Sequence, residues 1–342
     1  MNEIRNISLN DLTDYCKNLN QPSYRATQIF EWLYQGQVSS FNKMTNMSKE
    51  FRCQLQADFQ IGSLKTQLKS VSKDGTIKYV FVLEDKEMIE TVLIPTKTRT
   101  TVCVSTQAGC KFGCRFCASG IGGWRRNLNS AEILMQVLHV KGEAEKLAKP
   151  LSHIVFMGIG EPLDNYDNLI KAIRVINDER GMNIGARRIT VSTCGVIPKI
   201  NKLSDLGLQI ELAISLHGYD NESRNILMPV NKKYPFDDLI SACRKYIEKT
   251  NRQITFEYIL IKDVTCTSQA AQELKKAFKS LICKMNLIPY NPVSEFDYET
   301  PSKKEIVNFQ NQLKQFNIFS TVRTPRGRDV GGACGQLRHR II

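Results

Sequence analysis

The strongest constraint on the fold lies in the second half of the chain, where short apolar segments alternate with helical segments from Thr101 onward. Six such pairs follow one another, which predicts six βα units and therefore a parallel sheet with right-handed crossovers. The predicted strands are TVCVST, HIVFMGIG, RITVSTCG, IELAISLHG, ITFEYILI, MNLIPYNP and a final FSTVRTP. Their continuous apolar character is typical of strands covered on both faces. We therefore expect an α/β fold, an open or partial (β/α)6 barrel, with ligands at the C-terminal strand ends.

The rest of the chain predicts additions to this barrel. Apolar residues at helical spacing predict a small N-terminal helical domain. Alternating apolar residues around an Asp74-Gly75 pair, a hairpin signal, then predict a β-extension. The predicted N-terminal helices are Leu9–Leu19, Ala26–Tyr34 and Met47–Phe59. The predicted division is 1–62 for the helical accessory domain, 63–98 for the β-extension, 99–322 for the barrel and 323–342 for a C-terminal loop rich in glycine and arginine.

Three cysteines follow the first strand of the predicted barrel. Cys110, Cys114 and Cys117 lie in the run GCKFGCRFCA with the spacing C-x3-C-x2-C. A four-iron cluster held by cysteine alone needs four thiolates, so this motif would leave one iron able to accept an outside molecule. The alternative is zinc with a fourth ligand from elsewhere. Because zinc sites usually combine two C-x2-C halves and no second half exists here, the motif favours an iron–sulfur cluster.

Glycines and polar residues follow the other predicted strands. Gly160 would let a ligand approach the backbone, and the carboxylate of Glu161 can hold an ammonium group. The polar residues at the later strand ends, which can bond a ribose, a carboxylate or an adenine, are Ser192, Ser215, His217 and Asn291. Each alone is more often a turn or cap residue. Together with the cysteine motif they predict one binding pocket, in which His217 is not a metal ligand because no histidine pair has metal spacing.

Two further cysteines stand out by position. Cys334 lies in the run GGACGQL, where glycine neighbours make the backbone mobile and closely approachable, and Cys103 lies within a predicted strand. Alternatively, Cys103 is a buried apolar thiol and Cys334 a surface thiol. Cys194 is the least certain of the remaining cysteines, since it shares a strand end with Ser192. The others, assigned to packing or to exposed positions, are Cys16, Cys53, Cys243, Cys266 and Cys283.

The charge of the chain favours a polyanionic partner. The net charge is +13 and the isoelectric point is about 9.2, although basic composition alone also serves solubility. Near the cysteine motif, the basic residues are Lys111, Arg115, Arg125 and Arg126. In the tail, the arginines are Arg323, Arg326, Arg328, Arg338 and Arg340, against one aspartate, Asp329. If both segments border one cleft, that cleft is positive and suits the phosphates and stacked bases of RNA.

The sequence also predicts a cytoplasmic protein. No stretch approaches the roughly 20 apolar residues of a membrane-spanning helix. The start, MNEIRNISLNDL, lacks the apolar centre of a signal peptide. Eleven cysteines, scattered singly outside the motif, indicate a reducing compartment rather than a disulfide scaffold.

The chain resembles the radical-SAM RNA adenine methyltransferases of the RlmN/Cfr family over nearly its whole length. The matching stretches are YRATQIFEWLY, ETVLIP, GCKFGCRFCASG, GEPLDN, LAISLHG, MPVNKKYP, NLIPYNP and ACGQL. The tail RTPRGRDVGGACGQL is similar to the branch that methylates carbon 2 of adenine rather than carbon 8. Gly332 and Ile159 depart from the usual pattern, in which alanine and methionine stand there, and neither carries a reactive group.

This resemblance implies a radical-SAM partial barrel and a role for each candidate residue. The expected ligands of a [4Fe–4S] cluster are Cys110, Cys114 and Cys117. The residues expected to line the site of S-adenosylmethionine (SAM) are Gly160, Glu161, Ser192, Ser215, Leu216, His217 and Asn291. The expected catalytic residues are Cys334 as methyl carrier, Cys103 as resolving thiol and Glu90 of ETVLIP as general base. The N-terminal helical domain is expected to help hold RNA.

The chemistry implied by the resemblance explains why two thiols are needed. Carbon 2 of adenine lacks useful nucleophilicity, so direct methyl transfer from SAM fails, whereas a thiolate can take the methyl group first. A second SAM, cleaved by the cluster, then makes a radical on that methyl group. After addition to the ring and loss of the ring proton, attack of Cys103 on Cys334 would release methyladenine and leave a disulfide.

The resemblance also implies the partners. The expected substrates are an adenine in the peptidyl-transferase region of 23S rRNA and the adenine beside the anticodon of tRNA, each unpaired or flipped out. A reducing partner such as flavodoxin and a monomeric state are expected. Methylation at carbon 8 stays open as an alternative that product analysis separates, while methylthiolation would call for a second cluster motif. A non-catalytic RNA-binding protein with a structural metal would leave Cys334 and the polar strand ends unexplained.

Overall fold

A computed structural model of the chain describes residues 2–279 and 281–338. Arg340, one of the five arginines of the tail, lies outside the described residues. The N-terminal elements are β1 (Asn2–Glu3), α1 (Leu9–Asn18), α2 (Tyr24–Tyr34), α3 (Lys49–Asp58) and β2 (Phe59–Gln60). Ser8 and Ser48 cap α1 and α3 through side-chain oxygens that accept backbone N–H groups of the first turn. The predicted N-terminal helices are therefore present.

A ten-stranded open sheet organises the rest of the molecule. Its strands are β3 (Lys65–Val71), β4 (Ile77–Val82), β5 (Met88–Pro95), β6 (Thr100–Cys103), β9 (His153–Phe156), β10 (Ile189–Thr193), β11 (Glu211–Ser215), β12 (Ile254–Leu260), β13 (Cys283–Pro289) and β14 (Ser320–Val322). A separate hairpin pairs β7 (Gln107–Gly109) with β8 (Trp124–Asn127). The spatial order of the large sheet is β14-β13-β12-β11-β10-β9-β6-β5-β4-β3.

Pairing direction divides the large sheet into two parts. From β6 through β14 the strands are parallel, whereas β3 to β6 are antiparallel. The Asp74-Gly75 pair lies in the turn between β3 and β4, where Gly75 has a φ of +85° that favours glycine. β12 is buried along its whole length, as expected for a strand covered on both faces. The antiparallel part is the predicted β-extension joined edge to edge to the barrel.

The helices complete the predicted series. They are α4 (Ser130–Lys146), α5 (Tyr166–Asn177), α6 (Ile197–Ser204), α7 (Asn221–Leu227), α8 (Phe236–Thr250), α9 (Ser268–Ala277) and α10 (Lys303–Gln315). Six parallel strands are followed by α4, α5, α6, α8, α9 and α10, so the predicted fold class, a partial (β/α)6 barrel, is confirmed. The seven-residue α7 and the β7–β8 hairpin were not predicted, because both are too short to show a hydrophobic period.

The helical domain and the barrel share one continuous core. Buried residues of α1 to α3 belong to the same apolar cluster as those of the sheet and of α4. Asn6 joins the two parts, since its Oδ1 accepts the N–H of Ala131 at the start of α4 over 2.9 Å. The boundaries drawn at residues 62, 98 and 322 stay predictions. In the part of the chain that the structure describes, no helix has the length and apolar character to cross a membrane.

Candidate active site

A pocket that is partly open to solvent lies at the C-terminal ends of the parallel strands. Its lining includes three groups of side chains that the sequence singled out. From the cysteine motif they are Cys110, Cys114 and Cys117. From the strand ends they are Gly160, Glu161, Ser192, Ser215 and His217, and from the tail Cys334. The structure therefore gathers most of the predicted site residues around one space.

The loop that carries the three cysteines is held close to the β7–β8 hairpin. The N–H of Cys110 donates to Gly123 O over 3.1 Å, and that of Cys117 to Cys114 O over 3.1 Å. Gly109, with φ +76°, allows this approach, because a Cβ there would lie 1.9 Å from Gly123 O. A glycine is therefore required where the chain enters the motif.

The donor set fits a four-iron cluster. Burial raises the pKa of the Cys110 thiol to about 12 and also raises the pKa values of Cys114 and Cys117, so these thiols need the charge of bound iron to ionise. Among the described residues, no three His, Cys, Asp or Glu converge to hold one metal ion. A four-iron cluster takes each cysteine on a different iron, so its ligands surround a volume rather than a point.

Glu161 lies beside the cysteines, and its position is fixed by backbone donors. Its Oε1 accepts the N–H of Leu163 over 3.0 Å, and its Oε2 accepts the N–H of Cys194 over 2.7 Å. Burial raises the pKa of this carboxyl, and these hydrogen bonds oppose the shift. The neighbouring Gly160 has φ +99°, and a Cβ there would lie 2.4 Å from Gln107 Cβ. Packing on Gln107 therefore requires glycine here, independently of any ligand.

His217 and two serines form the middle of the pocket. The Nδ1 of His217 accepts the N–H of Ile259 over 3.1 Å, which leaves the proton of the neutral ring on Nε2. Burial lowers the pKa of His217 to about 3, so the ring is a neutral donor at physiological pH. The Oγ atoms of Ser192 and Ser215 lie 3.3 Å apart. This group offers hydrogen bonds without charge, as recognition of a ribose requires.

Two of the predicted SAM residues do not line the pocket. Leu216 is fully buried, and its carbonyl accepts a hydrogen bond from Arg224 Nε over 3.1 Å. Asn291 donates from Nδ2 to the carbonyl of Cys334 over 3.0 Å, while its buried Oδ1 has no protein partner. The free oxygen fits the amino group of a ligand, and burying it unpaired is costly.

Of the three catalytic candidates, Cys103 and Cys334 lie near each other, although only Cys334 lines the pocket. Cys103 is buried at the end of β6 in a small apolar cluster with Val92, Ile159 and Leu337 of the tail. Burial, followed by the nearby Cys334 thiol, raises the pKa of Cys103 to about 12. Cys334 is exposed, and both thiols are free. The Cys103 thiol is therefore buried, whereas the Cys334 thiol is exposed.

Glu90 lies on β5 beneath the tail and does not itself line the pocket. Its Oε1 is 3.0 Å from Lys78 Nζ, and its Oε2 accepts the N–H of Arg338 over 2.8 Å. Burial raises the pKa of Glu90, and the charge of Lys78 opposes this shift. A carboxylate with a raised pKa suits a general base, once the tail releases it.

Residues 323–338, which we term the C-terminal strap, are held to distant parts of the chain. Asp329 accepts hydrogen bonds from Ser72 Oγ (2.5 Å) and Lys73 N (3.2 Å) in the β3–β4 turn. Other contacts are Gly327 N to Asp74 Oδ2 (3.0 Å), Ala118 N to Gly335 O (2.7 Å), Ser119 Oγ to Leu337 O (2.8 Å) and Arg338 to Glu295 (2.6 Å). Gly327 and Asp329 thus anchor the strap to the β-extension.

Sequence reasoning missed several residues of the pocket. Met157, which directly follows β9, and Glu257, in the middle of β12, both line it. The rule that ligands meet strand ends could have found Met157 but not Glu257. Arg323, counted only as a charge, donates to Glu257 Oε2 over 3.2 Å, and the Cys334 thiol raises its pKa. Cys194, which the sequence left uncertain, is buried in the lining. No local signal distinguished Arg323 from the other arginines of the tail.

Comparisons with known proteins agree with this geometry. The family model for the radical SAM superfamily matches residues 104–266, and that for the ribosomal RNA large subunit methyltransferase N-terminal domain matches residues 2–61. A probable dual-specificity RNA methyltransferase RlmN of Geobacillus kaustophilus is 48% identical over 98% of this chain and 92% of its own. Its counterpart in Clostridium novyi is 46% identical over 100% and 99%.

One solved structure covers the whole fold. The crystal structure of a radical SAM methyltransferase from Sphaerobacter thermophilus matches with a TM-score of 0.95 at 40% sequence identity. The match covers 99% of this chain and 100% of that one. The arrangement of barrel, β-extension and helical domain is therefore shared over the full length.

Proposed function

Because the chain belongs to the RlmN family of radical-SAM RNA methyltransferases, we propose that it methylates carbon 2 of an adenine in 23S rRNA and of the adenine beside the anticodon of tRNA. Its cofactors are a [4Fe–4S] cluster and SAM. The observation that carries the proposal is that the three motif cysteines and Cys334 line one pocket. A bound cluster alone would explain the three motif cysteines. Only a reaction on the Cys334 thiol accounts for its position in the same pocket.

The cluster side of the pocket binds and orients the cofactors. Cys110, Cys114 and Cys117 hold the cluster, which together with SAM supplies a methyl group and a carbon radical when both are bound. Glu161 receives the ammonium group, and His217 and the paired serines bond the ribose and carboxylate. The unpartnered Oδ1 of Asn291 accepts from the adenine amino group.

The two thiols and the carboxylate carry out the transfer to RNA. Cys334 takes the methyl group on Sγ and presents it, since the strap places it on the exposed side of the pocket. Glu90 removes the ring proton after carbon–carbon bond formation, and one electron leaves the radical adduct, for which the oxidised cluster would be the acceptor. Cys103 then attacks Cys334 Sγ, which releases the methylated base and leaves a Cys103–Cys334 disulfide for a thiol reductant to reopen. The shared apolar cluster of Cys103 and Leu337 supports this pairing.

The rim of the pocket supports RNA as the substrate. Trp124 is 42% exposed on the β7–β8 hairpin, with Lys111 Nζ 5.8 Å from its ring and the exposed Arg125 next to it in the chain. Arg115, in the cysteine motif, is also exposed. An exposed aromatic ring among cations suits a stacked base and its phosphates. Residues 1–62, in contrast, carry six basic and six acidic residues, so the net charge of +13 lies in the rest of the chain. We propose that the helical domain contacts RNA by shape, while the rim supplies the charge.

The reducing partner and assembly complete the proposal. One-electron reduction of the cluster calls for a low-potential donor, and a flavodoxin fits this need. We further propose a monomer that acts in the cytoplasm, where both RNA substrates are found.

Mass mapping of the RNA product tests the proposed reaction. Purified protein with a reconstituted cluster is incubated with SAM, a reductant and unmodified 23S rRNA fragments or tRNA. Methyl groups at carbon 2 of one adenine in each RNA are expected. Methylation at carbon 8 would overturn the assignment to the carbon-2 branch, and a protein that takes up no iron and sulfide would overturn the radical chemistry altogether.

A further inference from the structure

Arg224 on α7 is among the largest fully buried side chains of the described residues. Its guanidinium donates from Nε to Leu216 O (3.1 Å), from Nη1 to Asn231 Oδ1 (2.8 Å) and Tyr234 O (3.4 Å), and from Nη2 to Cys194 O (2.5 Å). The guanidinium thus ties together the ends of two strands and the MPVNKKYP segment, to which the proposed reaction assigns no task.

All four acceptors of Arg224 are neutral. Within the described residues, no carboxylate forms an ion pair with it, and the ionisable side chains near it are the thiols of Cys194, Cys114 and Cys243. Glu161, a carboxylate of the pocket lining, is bonded to backbone N–H groups instead. A buried charge without a counter-charge is costly, so the fold carries a cation whose partner the protein itself does not supply.

Short contacts connect this cation to the loop of the cysteine motif. The carbonyl of Leu227, at the end of α7, accepts the N–H of Arg115 over 2.9 Å, and Arg115 lies between the second and third motif cysteines. On the other side, a Cβ at Gly218 would lie 2.7 Å from Arg224 Cβ, so only glycine lets α7 pack this closely on the end of β11. Arg224 is therefore clamped between the SAM strands and the cluster loop.

We propose that Arg224 is the buried counter-charge of the iron–sulfur cluster and that the MPVNKKYP segment holds it in place. A four-iron cluster with three thiolate ligands is an anion, and reduction makes it more negative. The inference rests on the proposed function only in requiring that the cluster binds. It adds a positioning residue that acts through the cluster and touches neither SAM nor RNA.

The assignment has two measurable consequences. A fixed positive charge favours the reduced cluster, so it raises the reduction potential. Binding of the cluster also relieves an unpaired buried charge, so the cluster should stabilise the wild-type protein more than a variant without that charge. A guanidinium that served only as a cross-link would produce neither effect.

The experiment compares Arg224→Met, which removes the charge at similar length, with Arg224→Lys, which keeps the charge but loses the fork of hydrogen bonds. The midpoint potential of the reconstituted cluster is measured by redox titration followed by electron paramagnetic resonance, without SAM or RNA. The melting temperature is measured before and after reconstitution. For Arg224→Met we expect the midpoint potential to be more negative by ~59 mV, which corresponds to about a tenfold change in the one-electron reduction equilibrium. We also expect reconstitution of the cluster to raise the melting temperature of this variant less than that of the wild type. For Arg224→Lys we expect the wild-type potential despite lower stability.

A matched control is Arg252→Met. Arg252 pairs with Glu211, the first residue of β11 and thus at the strand end away from the pocket, so its loss should lower stability and leave the potential unchanged. A shift of the same size in Arg252→Met, or a wild-type potential in Arg224→Met at full iron content, would overturn the proposal. Failure of the wild-type protein to bind a cluster would instead overturn the proposed function.

Discussion

The two walls of the pocket are built in opposite ways. The cluster wall, formed by the cysteine motif and the ends of β9 to β12, consists of buried groups whose hydrogen bonds are made within the barrel, such as Glu161 and His217. The thiol wall, formed by the C-terminal strap with β5 and β6 behind it, depends on contacts between segments more than 200 positions apart, such as Asp329 with Ser72. One wall is preorganised within the barrel, whereas the other is completed by a segment from the far end of the chain.

This difference matches the two tasks of the proposed reaction. Cofactor binding needs donors fixed in advance, because the same cofactors return in every turnover. The methyl carrier must instead meet a cofactor and then a large RNA, so an exposed thiol on a strap suits it. Substitutions in the two walls should therefore fail at different steps, which allows the division to be tested.

The largest effect is expected in the cluster wall, from Cys114→Ala. Without Cys114 one more iron of the cluster lacks a protein ligand, and the two remaining thiolates cannot hold the cluster. Its visible absorbance and all cleavage of SAM should therefore be lost. Iron content, absorbance and release of the cleaved nucleoside are measured together. Cys53→Ala, at an exposed position on α3, is the control and should keep all three. Full iron and absorbance in Cys114→Ala would contradict the assignment.

In the thiol wall, Cys334→Ala should abolish the RNA product while the cluster remains. Without this thiol no methyl group can be loaded, so neither methylated RNA nor a protein–RNA adduct should form. Absorbance of the cluster is measured beside mass mapping of the RNA. Loss of the cluster in this variant would show that the two walls are not separable.

Cys103→Ala should fail one step later than Cys334→Ala. Loading and addition to the ring proceed, but release does not, so covalently attached RNA should accumulate as a nuclease-sensitive shift in protein mass. If Cys103 served packing alone, alanine would cause only a mild loss of stability. A fully active variant without adduct would move the resolving role elsewhere, and Cys194, buried in the pocket lining, is the next candidate.

The two walls also differ in how far the sequence predicted them. Cysteine spacing and the ends of apolar strands are local signals, and they located Cys110, Glu161 and His217 without any structure. The contacts of Arg224 with Cys194, and of Asp329 with Ser72, join residues that are far apart in the sequence. The residues adjacent to each of them in the chain do not specify these partners. For Glu90 the family pattern supplied the residue, but only the fold shows Lys78 and Arg338 on its carboxylate.

Glu90→Gln is expected to slow methyl transfer by roughly 100- to 10,000-fold, the usual loss when a general base is removed. Because burial raises the pKa of Glu90, the wild-type rate should fall as the pH drops through that raised value and the carboxylate becomes protonated. Lys78→Met removes the cation 3.0 Å from Oε1, so it should raise the pKa of Glu90 further and move the acid limb to higher pH. An acid limb that stays in place in Lys78→Met would argue against Glu90 as the titrating base.

The smallest effect is expected at the anchor of the strap, from Asp329→Asn. The carboxylate is exposed and accepts from Ser72 Oγ and Lys73 N, so the loss of its charge should reduce RNA methylation less than about tenfold, since exposed charge contacts contribute little. Cluster content and cleavage of SAM should stay at the wild-type level, because no bond of the cluster wall is touched. Ser72→Ala removes the other partner of the same contact, and the double variant should be no slower than the slower single variant. If the two losses multiply, the strap is not held through this contact, and its docking must depend on the bonds of Leu337 and Arg338 instead.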